Sequence, residues 1–312
     1  MRQCHVASFA DPQNTGVVID DRPTFPLEHI VELADGRLVE WEAVGKGPPL
    51  LWIEGGPGLP AHLARPDVAL FSDRFRAHLV NAPGCGRSTP PATRDGYGLD
   101  AHVRYFDEVR RRLGVGRATV MGHSWGGLVA QALALAEPDA VERLILLDTY
   151  AGEASVPEAV AVAERDRALD RVRGEPWFDT ALEAFGEDHE TGRELDERFR
   201  LCWPLYFASS GLPSSQFHIE RLGRESRWNL DADHAWTPEP AIDLRSELGS
   251  IACPTLVVVG EHDFICGPVW GRPIADAIPG ARYAEIAGVG HFPQYEAPDE
   301  LRRIVFDWIA GT

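Results

Sequence analysis

The chain has 312 residues, with 48 acidic against 30 basic side chains and a formal net charge of −18. That balance argues against nucleic acid and anionic membrane surfaces as partners, since both are held by basic patches. That length fits one α/β domain carrying an insertion, and with 44% hydrophobic and 25% charged residues the chain can bury a sizeable core and is not disordered. Five cysteines, Cys4, Cys85, Cys202, Cys253 and Cys266, are widely spaced and form no Cys-x-x-Cys pair. Neither a metal site nor a disulfide framework is expected, and a reducing cytoplasm fits. The opening MRQCHVASFADPQNTG has no basic segment leading into an apolar core, so no signal peptide is expected. The apolar runs fall far short of the about 20 residues that span a membrane. The expectation is a soluble cytoplasmic protein.

After a polar arm, residues 29–45 alternate apolar and polar side chains around Asp35-Gly36, the pattern of a hairpin with one wet face. From Leu50 the strands change character. LLWI, AHLVNA, ATVMG, RLILLD and TLVVVG are compact and nearly all apolar, as strands buried on both faces of a parallel sheet are. Between them, residues 99–114 place Val103, Phe106, Val109 and Leu113 on one helical face and stop at a glycine. Residues 124–138 are small and apolar nearly all round, which a helix buried against a sheet requires. An amphipathic helix, PDELRRIVFDWIAG, closes the chain. The alternation predicts a mostly parallel, doubly wound sheet with an antiparallel hairpin at its start.

Residues 150–245 break this rhythm with helical, charge-rich segments and aromatic clusters but no apolar strand. The reading is a core domain of residues 1–149 and 246–312, with a helical cap of 150–245 inserted after the sixth strand. An insertion leaving a strand's C-terminal end sits over the ligand-binding edge of an open sheet. A helical flank elsewhere on the body is the alternative. Residues 209–216, SSGLPSSQ, read as a hinge or loop of that cap.

The sharpest chemical signal is VMGHSWGG, residues 120–127: a buried strand runs into Gly122-His123-Ser124-Trp125-Gly126 and a helix begins at once. This is the Gly-x-Ser-x-Gly nucleophile elbow in its strand–turn–helix setting. A serine hydroxyl needs a base to take its proton. His291 in IAGVGHFPQ follows the strand ARYAEI and precedes the last helix, which puts it at the sheet's C-terminal edge. The acid that orients it is assigned to Asp263, just past TLVVVG, with Asp148 after RLILLD as the rival. Ser124, Asp263, His291 is also the chain order expected of the α/β-hydrolase arrangement. Glu261 and His262 read as local polar partners. Acyl transfer places negative charge on the former carbonyl oxygen. The N–H groups of Trp125 and of Gly56, in the EGGPG loop after LLWI, are the expected donors.

With these motifs the chain resembles the α/β-hydrolase superfamily, and within it the proline iminopeptidase-like branch, whose hallmark loop reads His-Gly-Gly-Pro-Gly. The resemblance covers roughly residues 27–150 and 250–310. NAPGCGRST (81–89) fits a loop that this branch usually writes Asp-x-Arg-Gly-x-Gly-x-Ser; Gly84, Gly86 and Ser88 remain. Cys85 there reads as a small filler. Two positions depart from the branch: Glu54 replaces the histidine, and the first part of the 81–89 loop is altered. A bare carboxylate beside a forming oxyanion opposes the reaction, so Glu54 is expected to turn away and be neutralised, by Arg87, by His62 or by protonation. The insertion's aromatic residues, Trp177, Phe178, Trp203, Tyr206, Phe207, Trp228 and Trp236, read as a cap core, or in part as a substrate wall. Glu54, Trp203, Tyr206 and Phe207 are the candidates for substrate contact.

The expected protein is a serine hydrolase acting on an ester, lactone, thioester or amide of a small, partly apolar substrate, with no metal and no organic cofactor. An aminopeptidase, a C–C bond hydrolase or perhydrolase, and a catalytically silent ligand-binding protein are the alternatives.

Overall fold

The computed structural model describes residues 29–186, 189–235 and 241–312; the arm with Cys4, and Trp236, lie outside them. The strands are β1 (Ile30–Glu32), β2 (Leu38–Gly45), β3 (Pro49–Ile53), β4 (Arg76–Val80), β5 (Ala118–His123), β6 (Val141–Leu147), β7 (Thr255–Gly260) and β8 (Arg282–Ile286). They form one sheet in the order β1-β2-β4-β3-β5-β6-β7-β8. β1 pairs antiparallel with β2, as the Asp35-Gly36 turn predicts, and β2 pairs antiparallel with β4. From β4 through β8 every pairing is parallel.

Period-two alternation sorts the apolar strands between two cores. Leu51, Ile53, Val120, Leu144, Leu146, Val257 and Val259 face one side. There they meet α2 (Leu99–Arg112), α3 (Trp125–Ala136) and α9 (Pro268–Ala277). Leu50, Trp52, Met121, Ile145, Leu147, Leu256 and Val258 face the other, against Val68 of α1 (Arg65–Ala69) and α11 (Pro298–Ala310). Each such side chain contributes about 1.5–3 kcal/mol by leaving water, which explains why these strands carry no polar face.

Between β6 and β7 the chain forms α4 (Glu158–Leu169), α5 (Phe178–Gly186), α6 (Gly192–Cys202), α7 (Pro213–Glu225) and α8 (Leu230–Ala235). Its two ends are tied together where Leu244 N–H donates to Ala151 O and Ala154 N–H to Ile242 O. α7 begins at Pro213, so half of the stretch read as a hinge is helix. Proline suits this first turn, where its missing N–H would have no intrahelical partner. Phe178, Leu195, Phe199, Trp203 and Phe207 form a third apolar cluster with Leu59, Leu63, Phe264 and Phe292 from loops of the sheet. Tyr295 of α10 (Pro293–Glu296) joins it. Among the described residues no helix is long and apolar enough to cross a membrane.

The parallel registers align Ile53 with Gly122, His123 with Leu147, and Gly260 with Ile286. The loops after β3, β5, β6, β7 and β8 therefore leave the sheet at one edge.

Candidate active site

Ser124 stands between β5 and α3 with φ 54° and ψ −125°, a conformation that costs a non-glycine residue energy. Three bonds hold it. Its N–H donates to Leu147 O at 2.9 Å, and its own carbonyl accepts from Gly127 N–H at 2.9 Å and from Thr149 Oγ1 at 2.6 Å. The flanking glycines are required by space. A Cβ at Gly122 would lie 2.4 Å from Gly126 O, and one at Gly126 would lie 2.2 Å from Ile53 O.

His291 Nδ1 lies 2.8 Å from Asp263 Oδ2, and both residues are buried. His291 N–H donates to Tyr206 O at 2.7 Å, so the insertion holds the loop that carries the imidazole. Asp263 Oδ1 accepts from Ile265 N–H at 2.8 Å. Burial pushes the Asp263 carboxyl up, but the His291 charge and these hydrogen bonds outweigh it and leave it below its ordinary value. Asp148, the rival acid, instead accepts from Gly260 N–H at 2.7 Å. His123 Nε2 donates to His291 O at 2.9 Å, which fixes its tautomer because a carbonyl only accepts. Burial, then the His291 charge, lowers His123 to about 3, so it stays neutral.

Cys266 is the residue of this cluster that the sequence reading left unassigned. Its Sγ and ligand atoms of Asp263 and His291 all lie within 4.8 Å of one another, and its thiol lies beside the Ser124 side chain. Burial, then Asp263 and Asp148, pushes its thiol well above the ordinary range, so it is no thiolate. The spacing Asp263 to Cys266 was the available signal: a turn that places an acid on the histidine also brings the residue three further on to the same edge.

Ser124, Cys266 and His291 open onto a cavity of about 410 Å³. Gly55, Gly56 and Pro57 form one lip, and Trp125, Tyr150, Phe199, Trp203, Tyr206, Trp228, Trp270 and Phe292 its aromatic walls. Its acidic members are Glu54, Glu153 and Asp233, and no lysine or arginine is among the described lining residues. Gly56 has φ 65°, and a Cβ there would sit 2.8 Å from the Trp228 ring. Trp125 begins α3, so its N–H has no intrahelical acceptor.

Residues 48–298 match the model of the alpha/beta hydrolase fold family. The chain belongs to that family. This α/β hydrolase is 22% identical over 332 residues to bifunctional epoxide hydrolase 2 of Sus scrofa, an alignment covering 95% of this chain but 59% of the porcine protein. It is 22% identical over 302 residues to the proline iminopeptidase of Heyndrickxia coagulans, covering 90% and 98% of the two chains. The enol-lactonase of Burkholderia xenovorans LB400 superposes with a TM-score of 0.68 at 25% identity, over 90% of this chain and 99% of that one. These relatives and this structural neighbour are themselves members of the alpha/beta hydrolase fold family's range of hydrolases.

Other expectations at the hydrolase's site need correction. Arg87 pairs with Glu40 at 2.7 Å rather than with Glu54. Glu54 Oε2 instead accepts from Trp52 Nε1 at 2.8 Å. Burial and then the neighbouring Asp67 push Glu54 up to about 8, so neutralisation is by protonation rather than by Arg87 or His62. Asp67 is itself raised to about 7 by burial, with Arg221 of α7 opposing the rise. Trp203 and Tyr206 line the cavity but Phe207 does not. Phe207 is fully buried, its ring centroid 5.2 Å from that of Phe292, because aromatic packing beneath the insertion claims it first. Cys85 is buried away from the cavity lining and raised to about 12, consistent with a filler.

Proposed function

We propose that this α/β hydrolase cleaves an ester, lactone, thioester or amide bond of a small, largely apolar substrate through an acyl-enzyme on Ser124. The observation that carries this reading is His291, held 2.8 Å from Asp263 and opening onto the cavity that holds the strained Ser124. His291 takes the Ser124 proton as Oγ attacks the carbonyl, and Asp263 stabilises the imidazolium that forms. The N–H groups of Gly56 and Trp125 receive the charge on the tetrahedral oxygen, each contributing about 3 kcal/mol to the barrier reduction. His291 then returns the proton to the leaving group, and water activated by the same imidazole releases the acyl group. These steps use side chains and backbone alone.

In this reading residues 150–245 are the cap. They supply Phe199, Trp203, Tyr206 and Trp228 to the cavity, which suits a bulky apolar acyl or leaving group. A lining that has carboxyls and, among the described residues, no lysine or arginine disfavours an anionic substrate. Cytoplasmic placement is part of the same proposal.

The test is labelling with a fluorophosphonate probe, then competition by esters, lactones, thioesters and aminoacyl amides. Ser124→Ala should abolish both labelling and turnover; full hydrolysis by that variant would overturn the mechanism. The cavity carboxyls keep the aminoacyl amides in the panel, because they suit a free amine as well as a neutral acyl chain.

A further inference from the structure

A second carboxyl stands behind the His291–Asp263 pair. Asp148 directly follows β6 with φ 40°, and Ser124 is the other non-glycine residue with positive φ among the described residues. Its N–H donates to Val258 O at 2.9 Å, and its Oδ1 accepts from Gly260 N–H at 2.7 Å. Those bonds to β7 over-determine a backbone that would otherwise relax. The side chain is wholly buried and adjoins the Asp263 carboxyl, while Oδ2 meets no N–H or O–H donor. The charged groups that act on it most, Asp263 and Glu296, are both acidic, and Cys266 and Tyr283 also feel its charge. Asp263, by contrast, has the His291 imidazole and the N–H groups of Ile265 and Cys266.

Two adjoining carboxyls in a dry site do not both ionise; one holds a proton. The one whose charge has more hydrogen-bond partners here is Asp263. We propose that Asp148 is a positioning residue: a neutral carboxylic acid that donates a hydrogen bond to Asp263 and so fixes the carboxylate that orients His291. Burial and the Asp263 charge both act on Asp148 in this sense. A single negative charge then sits behind the imidazole. Were Asp148 ionised as well, a second charge would hold the base in its protonated, inactive form. The inference rests on the proposed roles of Asp263 and His291.

The test compares Asp148→Leu with Asp148→Asn. Leucine removes the donor to Asp263 and the acceptor for Gly260 N–H, and kcat should fall about tenfold or more, with the acid limb of kcat/KM displaced upward. Asparagine keeps a donor, an acceptor and neutrality, so it should recover most of that loss and leave the acid limb where the unaltered enzyme has it. Infrared difference spectra should show a buried protonated-carboxyl band that Asp148→Asn lacks. An acid limb lowered by about one pH unit or more in Asp148→Asn would reveal that Asp148 had been charged, and would overturn the proposal. So would the absence of that band, or a folded Asp148→Leu with unaltered rate and pH profile. If the leucine variant does not fold, the asparagine profile and the spectrum decide. The spectrum needs no turnover, so failure of this inference is separable from failure of the Ser124 mechanism, which Ser124→Ala reports.

Discussion

At the scale of single residues, Asp263 and Glu54 show one functional group brought to opposite states by its surroundings. Both carboxyls leave water, which alone would raise each pKa. Asp263 gains the His291 imidazole and backbone donors and stays ionised. Glu54 gains one indole N–H and a neighbouring acid, and rises to about 8. Asp263→Asn should lower kcat by about 10³- to 10⁴-fold while the fold persists, because the amide no longer stabilises the imidazolium; steady-state kinetics with circular dichroism checks both halves. For Glu54 the sign follows from linkage. Its folded pKa exceeds its unfolded one, so the native state holds the proton more tightly. Stability is fully present below the ordinary value of 4.5 and declines as pH rises towards about 8. Glu54→Gln removes that titration while keeping an acceptor for Trp52 Nε1. Its melting temperature should gain on the parent's steadily between pH 5 and pH 8, and an unchanging difference across that window would show that Glu54 does not titrate this way.

At the scale of elements, the question is what holds the inserted helices to the sheet. Arg221 of α7 crosses that boundary, donating to Leu63 O at 3.1 Å and to the Tyr295 hydroxyl at 2.8 Å. It is also the cation whose charge opposes the rise of both Glu54 and Asp67. Arg221→Met therefore removes both of those hydrogen bonds and a third to Glu225, and takes away the charge that opposes the rise of the two carboxyls. It should cost about 3 kcal/mol in denaturant unfolding, with Arg221→Lys only partly restoring it because one ammonium does not reproduce the guanidinium fork. The hairpin, the buried parallel strands and the flanking helices were legible in the sequence because each pattern is local: period two, an all-apolar run, a 3.6-residue stripe. Residues 209–216 were not, since serine and glycine favour loops until tertiary packing pays for a helix from Pro213 onward.

At the scale of the whole molecule, the cavity lies where the inserted segment meets the open edge of the sheet, and its negative charge comes from the inserted side. Glu54, from the loop after β3, is held protonated, which leaves Glu153, just beyond β6, and Asp233 of α8. A substrate carboxylate would enter against these groups with no lysine or arginine among the described lining residues to meet it. A neutral ester should therefore exceed its carboxylate-bearing analogue in kcat/KM by about tenfold or more at low salt, with the gap narrowing as ionic strength rises. Equal rates would show that the cavity field does not reach the substrate.

The sequence alone determined the sheet order's parallel body, the serine at the elbow and the succession Ser124, Asp263, His291, because strand burial and a glycine-flanked turn are written in neighbouring residues. Tertiary structure decided which of the other groups face that serine. Cys266 came to the cluster, Phe207 was taken into aromatic packing, Glu54 lost its expected cation, and Asp148 settled behind Asp263. Each of those outcomes depends on contacts between segments far apart in the chain, where burial and the charge of a distant neighbour, rather than local spacing, set what a side chain does.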